Sequence, residues 1–230
     1  ATLFGMQGEE MAADGVITGA ASLEGRLIHL ASQDFSVAGG SAGELHCAKI
    51  ADIMGQSLKT GSPFVFINDS GGARVQEGSD SLSGYGRVFY ANVQLSGSVP
   101  QISIICGPCA GGAAYSPALT DFIIQTRQAQ MFITGPDVIR QVTHETVTAD
   151  ALGGPDAHMR QSGVVHFVAE DDREALLLCQ KLLSFLPSNN LEDPPLLPSD
   201  GKVAPDPSLG AVLPEDAKQG YDVREIIARV

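Results

Sequence analysis

The feature that most constrains this chain is a unit that occurs twice: a short apolar run, a glycine-rich turn, then a helical pattern. Phe64-Val65-Phe66-Ile67 runs into Asn68-Asp69-Ser70-Gly71-Gly72-Ala73, and a helix is expected over residues 80–96. Ile102-Ser103-Ile104-Ile105 runs into Gly107-Pro108-Cys109-Ala110-Gly111-Gly112, read as a turn, and a helix follows through Leu119. Apolar runs of this length, bounded by turn residues, suit strands buried on both faces. Such strands alternating with helices make an α/β fold with a mostly parallel sheet. The spacing is not that of a short fixed repeat, so a solenoid does not account for it.

The flanking segments extend the same architecture. Residues 15–34 read as a β-hairpin turning at Glu24-Gly25. Gly39-Gly40-Ser41 is expected to open a helix carrying Leu45, Ala48, Ile50, Ile53 and Leu58, ended by Gly61 and Pro63. Phe122-Ile123-Ile124 and Met131-Phe132-Ile133 read as strands, residues 135–162 as short helices and loops, Val164–Val168 as a last strand and residues 171–186 as an amphipathic helix. From Pro187 to Pro214 seven prolines fall among Ser, Asn and Asp. That composition suits a linker or wrapping arm. The expected division is a packed domain over 1–186, then an arm over 187–230 that ends in a short helix.

Composition removes several classes of function. The 230 residues carry a formal net charge of −13, and phosphate-backbone binding rests on clustered Lys and Arg. Nucleic acid and anionic membrane surfaces are therefore poor partners. No apolar run reaches the roughly 18–20 residues of a membrane span, and no signal peptide is visible at Ala1-Thr2-Leu3-Phe4. The cysteines, at 47, 106, 109 and 179, lack a histidine at zinc-site spacing, so no metal is expected. Reduced thiols point to a cytoplasmic setting.

The two turns suggest chemistry. A backbone N–H can stabilise a developing oxyanion only where the oxygen comes close, so the side chains there must be small. Gly71-Gly72-Ala73 and Gly111-Gly112-Ala113 satisfy that condition, and a helix starting at the turn adds a favourable dipole. The same residues also suit tight turns where helices pack closely on a sheet. Pattern alone leaves both readings open.

A resemblance adds to this. Asn68-Asp69-Ser70-Gly71-Gly72-Ala73-Arg74-Val75-Gln76-Glu77-Gly78 resembles a motif of the biotin-dependent acyl-CoA carboxyltransferases, and so does the stretch from Gly107 to Asp121. Asp14–Gly19, Gln33–Ser41 and Phe132–Pro136 match in the same order, so the likeness covers roughly residues 5–230. It implies a crotonase-like (ClpP/crotonase) fold of repeated β-β-α units, and specifically the first of two tandem domains, without the helical leader that usually precedes it. It implies that this domain binds an acyl-CoA, with propionyl-CoA the expected substrate. Biotin would be brought by a carrier protein after charging by a biotin carboxylase. A second carboxyltransferase domain, in a homo- or hetero-oligomer, would complete the site. By resemblance Gly112 and Ala113 offer N–H groups to the thioester carbonyl, with Gly71, Gly72 and Ala73 lining the same pocket. Phe35, Gly39, Gly40 and Ser41 would lie along the CoA, and Tyr115 is placed on the CoA side. Arg74 is a candidate for a CoA phosphate, against the more common case of a solvated or paired arginine at a helix start. The proton of the α-carbon would go to the biotin ureido group, so no side-chain base is required. A standalone decarboxylase or hydrolase of a malonyl-type thioester is the alternative.

Other signals are weaker. Cys106-Gly107-Pro108-Cys109 spells a dithiol redox tetrapeptide, but it lies inside the second turn motif. His144-Glu145 lacks the second histidine of a zinc-protease helix, since position 148 is Thr. His46-Cys47 reads as packing, Asn68-Asp69-Ser70 as a sequon too close to the turn to carry sugar, Asp171-Asp172 as a helix N-cap, and Tyr85 as core.

Overall fold

The computed structural model describes residues 5–8, 10–196, 198 and 206–229. One unit holds residues 1–195 and a second holds 196–230. The first unit is built on a seven-stranded sheet in the order β1-β2-β3-β4-β5-β7, with β6 pairing β4 off that path. The strands are β1 (Val16–Leu23), β2 (Arg26–Gln33), β3 (Phe64–Ser70), β4 (Gln101–Ala110), β5 (Phe122–Thr126), β6 (Gln130–Phe132) and β7 (Phe167–Ala169). Only β1 and β2, the hairpin, are antiparallel; every other pair is parallel. The helices are α1 (Glu44–Thr60), α2 (Ser79–Leu95), α3 (Gly112–Ala118), α4 (Pro136–Thr143), α5 (Ala149–Gly153), α6 (Pro155–Ala157) and α7 (Asp172–Leu183). The second unit carries α8 (Val223–Ile227).

The helices cover both faces, which is why β3 and β4 read as continuous apolar runs. On one face α1 and α2 pack Cys47, Ile50, Met54, Tyr85 and Val88 against Phe64 and Phe66. On the other, Ala175, Cys179 and Leu183 of α7 meet Val65, Ile102 and Ile104. Each fully buried Ile or Phe contributes about 1.5–3 kcal/mol over its exposed state.

Several element boundaries differ from the sequence expectation. Residues 107–110 are not a turn: β4 runs to Ala110 because β6 pairs Pro108, Cys109 and Ala110 with Gln130, Met131 and Phe132. Each partner residue arrives twenty-two positions later, outside any local pattern. Gly39-Gly40 forms a 3-10 turn (Ala38–Gly40), and α1 begins only at Glu44. β7 starts at Phe167 rather than Val164, although the His166 amide already donates to the Ile123 carbonyl at 3.0 Å. Asp171 does cap α7, its Oδ1 accepting the Glu174 amide at 2.8 Å. The start of the proline-rich stretch is tied to the first unit. Asn189 Nδ2 donates to the Gly61 carbonyl at 2.9 Å, and the Asn190 amide donates to that of Ser98 at 2.9 Å. No helix among the described residues is long and apolar enough to cross a membrane.

Candidate active site at two glycine turns

Parallel strands end at one edge of the sheet, and their loops line up there in the order of the strands. After β2 comes the Phe35–Ser41 loop, after β3 the Gly71-Gly72-Ala73 turn, after β4 the Gly111-Gly112-Ala113 turn. That edge is where open α/β sheets place ligands.

The first turn and the loop are stitched together. The Gly71 amide donates to the Gly39 carbonyl at 2.9 Å, Ala42 to Gly72 at 2.9 Å and Arg74 to Ala42 at 3.0 Å. Buried Ser70 adds two more bonds, its hydroxyl donating to the Gly40 carbonyl at 2.6 Å and accepting the Gly72 amide at 3.1 Å. Gly72 has φ +102°, and a Cβ there would stand 2.6 Å from the Ala110 carbonyl oxygen and 4.0 Å from the Gly112 nitrogen. The two turns therefore abut, and glycine is what lets them.

The second turn is held differently. The Gly111 amide donates to the Phe132 and Ile133 carbonyls, each at 3.1 Å. A Cβ on Gly112 would lie 3.0 Å from the Tyr85 ring, which supports the turn from below. Among the described residues the amides of Ala73, Gly112 and Ala113 have no acceptor. Unpaired donors beside glycines at the mouth of a turn can hold an anionic oxygen. α3 spans seven residues, so these local amides, rather than a long helix dipole, supply the field.

Of the two readings of Arg74, the structure shows the paired one. It is 1% exposed, and its Nη1 reaches Asp14 Oδ1 and Glu77 Oε1, both at 2.7 Å, while Nη2 donates to the Ser41 carbonyl at 2.7 Å. A guanidinium so enclosed does not meet a phosphate; it bolts the N-terminal turn, the Ser41 loop and the first glycine turn together. Burial alone pushes the Glu77 carboxyl up, but the Glu44 amide and the Arg74 guanidinium outweigh it and hold the group below its ordinary range.

Phe35 and Tyr115 remain exposed at this edge, at 42% and 45%, and Gly39 and Ser41 are half-buried. Tyr115 continues an aromatic ladder, edge-on to Phe89 at 5.9 Å, which in turn lies 5.7 Å from Tyr85. The buried Tyr85 hydroxyl has no hydrogen-bond partner among the described residues, and burial raises its pKa. Pattern reading missed the parts played here by Ser70, Tyr85 and Glu77. Only Glu77 left a signal, an acid three residues after an arginine.

Asn68 is 1% exposed, so the sequon is closed to sugar. His46 is buried, its Nδ1 2.7 Å from the Asp14 carbonyl oxygen and its Nε2 3.1 Å from Gln33 Nε2. No group of three or more His, Cys, Asp or Glu among the described residues could hold a metal. Of the hollows of ligand size, two bear on the helices around these turns. One, about 560 Å³, lies between the outer faces of α1 and α2 and includes no residue of either turn. The other, about 390 Å³, begins at α3 beside the second turn.

The carboxyl transferase domain family model matches residues 1–230. The 12S subunit of methylmalonyl-CoA carboxyltransferase from Propionibacterium freudenreichii subsp. shermanii is 60% identical over 229 residues, covering 100% of this chain and 44% of that protein. The propionyl-CoA carboxylase beta chain of Roseobacter denitrificans is 49% identical over 231 residues, covering 100% of this chain and 45% of that one. A crystal structure of transcarboxylase 12S, with hydrolysed methylmalonyl-CoA bound, superposes with a TM-score of 0.90 at 60% identity, over 100% of this chain and 45% of that one. The chain thus spans less than half the length of these relatives, and it shares their crotonase-like α/β fold. On its motifs, its sheet and these likenesses, the chain belongs to the carboxyl transferase domain family.

Proposed function

We propose that this chain is the acyl-CoA half of a biotin-dependent carboxyltransferase, and that Gly112 and Ala113 hold the thioester oxygen. The observation that carries the reading is the set of unpaired amides where the two turns abut, in a chain whose 60%-identical relative is a methylmalonyl-CoA carboxyltransferase subunit. Gly71, Gly72 and Ala73 line the same pocket, and Phe35, Gly39, Gly40, Ser41 and Tyr115 border the CoA. Arg74 acts behind the pocket, fixing the loop.

The chemistry asked of these residues is modest. When the α-proton of the acyl-CoA leaves, charge moves onto the thioester oxygen, where the Gly112 and Ala113 N–H groups meet it. The α-carbon then forms its new bond to the incoming carboxyl carbon. Carboxybiotin supplies that carboxyl group and, once it is released, the base. This division suits a site built from backbone donors. A biotin carrier protein, a biotin carboxylase and a second carboxyltransferase domain complete the system in our reading, with residues 187–230 leading toward that domain. We place it in the cytoplasm, or the mitochondrial matrix in a eukaryote. The substrate is a short acyl-CoA, propionyl-CoA in the carboxylating direction.

The test is carboxyl exchange between methylmalonyl-CoA and a biotinylated carrier, catalysed by the full-length protein that contains this chain. Gly112→Ala forces the Tyr85 ring or the turn to move and should lower kcat/KM by about 100-fold, the usual cost of disturbing one oxyanion donor. Unchanged exchange in that variant, or no exchange by the unaltered protein, would overturn the proposal.

A further inference from the structure

We propose that helix α2 sets the position of the oxyanion donors, with Tyr85 and Asn92 as positioning residues that hold α3 where the Gly112 and Ala113 amides meet the thioester oxygen. This rests on the reading of Gly112 and Ala113 given above and deepens it. Those amides stand at the start of α3, a helix of seven residues with Pro117 inside it. A helix this short is marginal by itself, and Pro117 has no N–H to donate to the Ala113 carbonyl. Ahead of it, Gly111 is fixed by one bifurcated amide. Oxyanion donors must lie about 2.7–3.1 Å from the developing charge, and a misplacement of about 1 Å can cost about 100-fold. Their placement therefore comes from what α3 packs against.

Two contacts from α2 fix α3, one toward each end. At the first residue of α3, the Tyr85 ring lies so close to Gly112 that a Cβ there would stand 3.0 Å from it. One helical turn on, Ser116 Oγ donates to Asn92 Oδ1 at 2.9 Å. Tyr85 and Asn92 share one face of α2, and Gly112 and Ser116 share one face of α3, because their spacings match whole helical turns. Asn92 is in turn locked to the start of β4. Its Nδ2 donates to Gln101 Oε1 at 3.0 Å, and its carbonyl accepts Gln101 Nε2 at 3.1 Å. Asn92, Gln101 and Ser116 are all buried, where a lost hydrogen bond leaves its partner unsatisfied at a cost. Phe89 fills the interval, 5.7 Å from Tyr85 and edge-on to Tyr115 at 5.9 Å. Tyr85 acts through its ring: its hydroxyl has no hydrogen-bond partner among the described residues, so no bond from that oxygen holds the turn.

The experiment is carboxyl exchange between methylmalonyl-CoA and the biotinylated carrier by the full-length protein that contains this chain. kcat is expressed per acyl-CoA site counted by calorimetry, so that unfolded molecules do not enter it. Tyr85→Leu removes the ring beneath Gly112. A displaced donor weakens the transition state more than the bound substrate, so kcat per site should fall about tenfold while KM stays within about threefold. Tyr85→Phe keeps the ring and drops only an unpaired hydroxyl, so it should restore kcat to within about twofold. Ser116→Ala frees the other end of α3 and should split kcat from KM in the same way; it decides the matter if Tyr85→Leu does not fold. A Tyr85→Phe variant as slow as Tyr85→Leu would overturn the role of the ring. Unchanged kcat per site in both Tyr85→Leu and Ser116→Ala, or a rise in KM alone, would overturn the positioning while leaving the thioester site standing. An unaltered protein that exchanges no carboxyl group would overturn both.

Discussion

The two glycine turns look alike in sequence and are built for different work. The Gly71-Gly72 turn, apart from the Ala73 amide, is tied down: to the Gly39–Ala42 loop by backbone bonds, to buried Ser70, and through Arg74 to Asp14 and Glu77. The Gly111-Gly112 turn is held by one bifurcated amide and the Tyr85 ring, and it leaves two amides unpaired. In the proposed reading one turn is an anchor and the other a donor. Unpaired polar groups carry a free-energy penalty, so they persist where neighbouring structure is rigid enough to hold them, and the first turn is that neighbour. Similar glycine patterns thus indicate close backbone approach, while the hydrogen-bond ledger decides which one meets a ligand.

The largest effect that would sharpen this contrast is expected at Arg74. Replacing it by Met leaves the Asp14 and Glu77 carboxylates, 13% and 11% exposed, without their partner. Breaking a buried pair in this way costs about 3–5 kcal/mol, which urea unfolding would read directly. Arg74→Lys should recover only part of it, because an ammonium cannot span two carboxylates and the Ser41 carbonyl at once. A loss below about 1 kcal/mol, the level of a surface ion pair, would break the anchor reading.

A somewhat smaller effect is tied to His46, which leans on the same Asp14 segment. Burial lowers its pKa to about 4, although its bond to the Asp14 carbonyl pulls the other way. The folded protein therefore binds fewer protons than the unfolded chain between this value and the ordinary 6.5. By linkage, stability held with neutral His46 is complete above about pH 6.5 and is lost as pH falls toward 4. The whole shift corresponds to roughly 3 kcal/mol. Urea midpoints should decline across that range, His46→Gln should flatten the decline, and NMR titration should place the imidazole near its low value. An imidazole titrating close to 6.5 in the folded protein would show that the anchor region admits water.

Much of this architecture was legible in the sequence because it is local. The hairpin, the buried strands β3 and β4, the helices after them and the Asp171 cap each follow from a run of neighbouring residues. What stayed hidden depends on partners far along the chain. The end of β4 is set by β6, and the enclosure of Arg74 is set by Asp14, sixty residues earlier. In sequence Arg74 stays a candidate phosphate ligand because nothing in its own segment shows the second carboxylate. The unpaired amides are invisible in principle: sequence shows which residues lack side chains, not which N–H groups lack acceptors.

The smallest expected effect concerns the cysteines beside the donor turn. Cys106-Gly107-Pro108-Cys109 spells a redox tetrapeptide, yet its geometry denies the chemistry. Both residues lie on β4, three positions apart, so their side chains leave opposite faces of the sheet. Cys106 packs toward α7, and Cys109 is buried with Ala113, Ala114 and Met131. Burial, with Asp172 and Asp69 adding to it, pushes the Cys106 thiol up to about 12, and burial raises Cys109 as well. Reactive cysteines need the opposite, a depressed pKa and an electropositive surround. Cys106→Ser should therefore leave carboxyl exchange unchanged, the protein should not reduce insulin, and both thiols should alkylate far more slowly at pH 8 than free cysteine. Insulin reduction lost in Cys106→Ser would make the second turn a redox site, and the contrast between anchor and oxyanion donor would fail at its donor end.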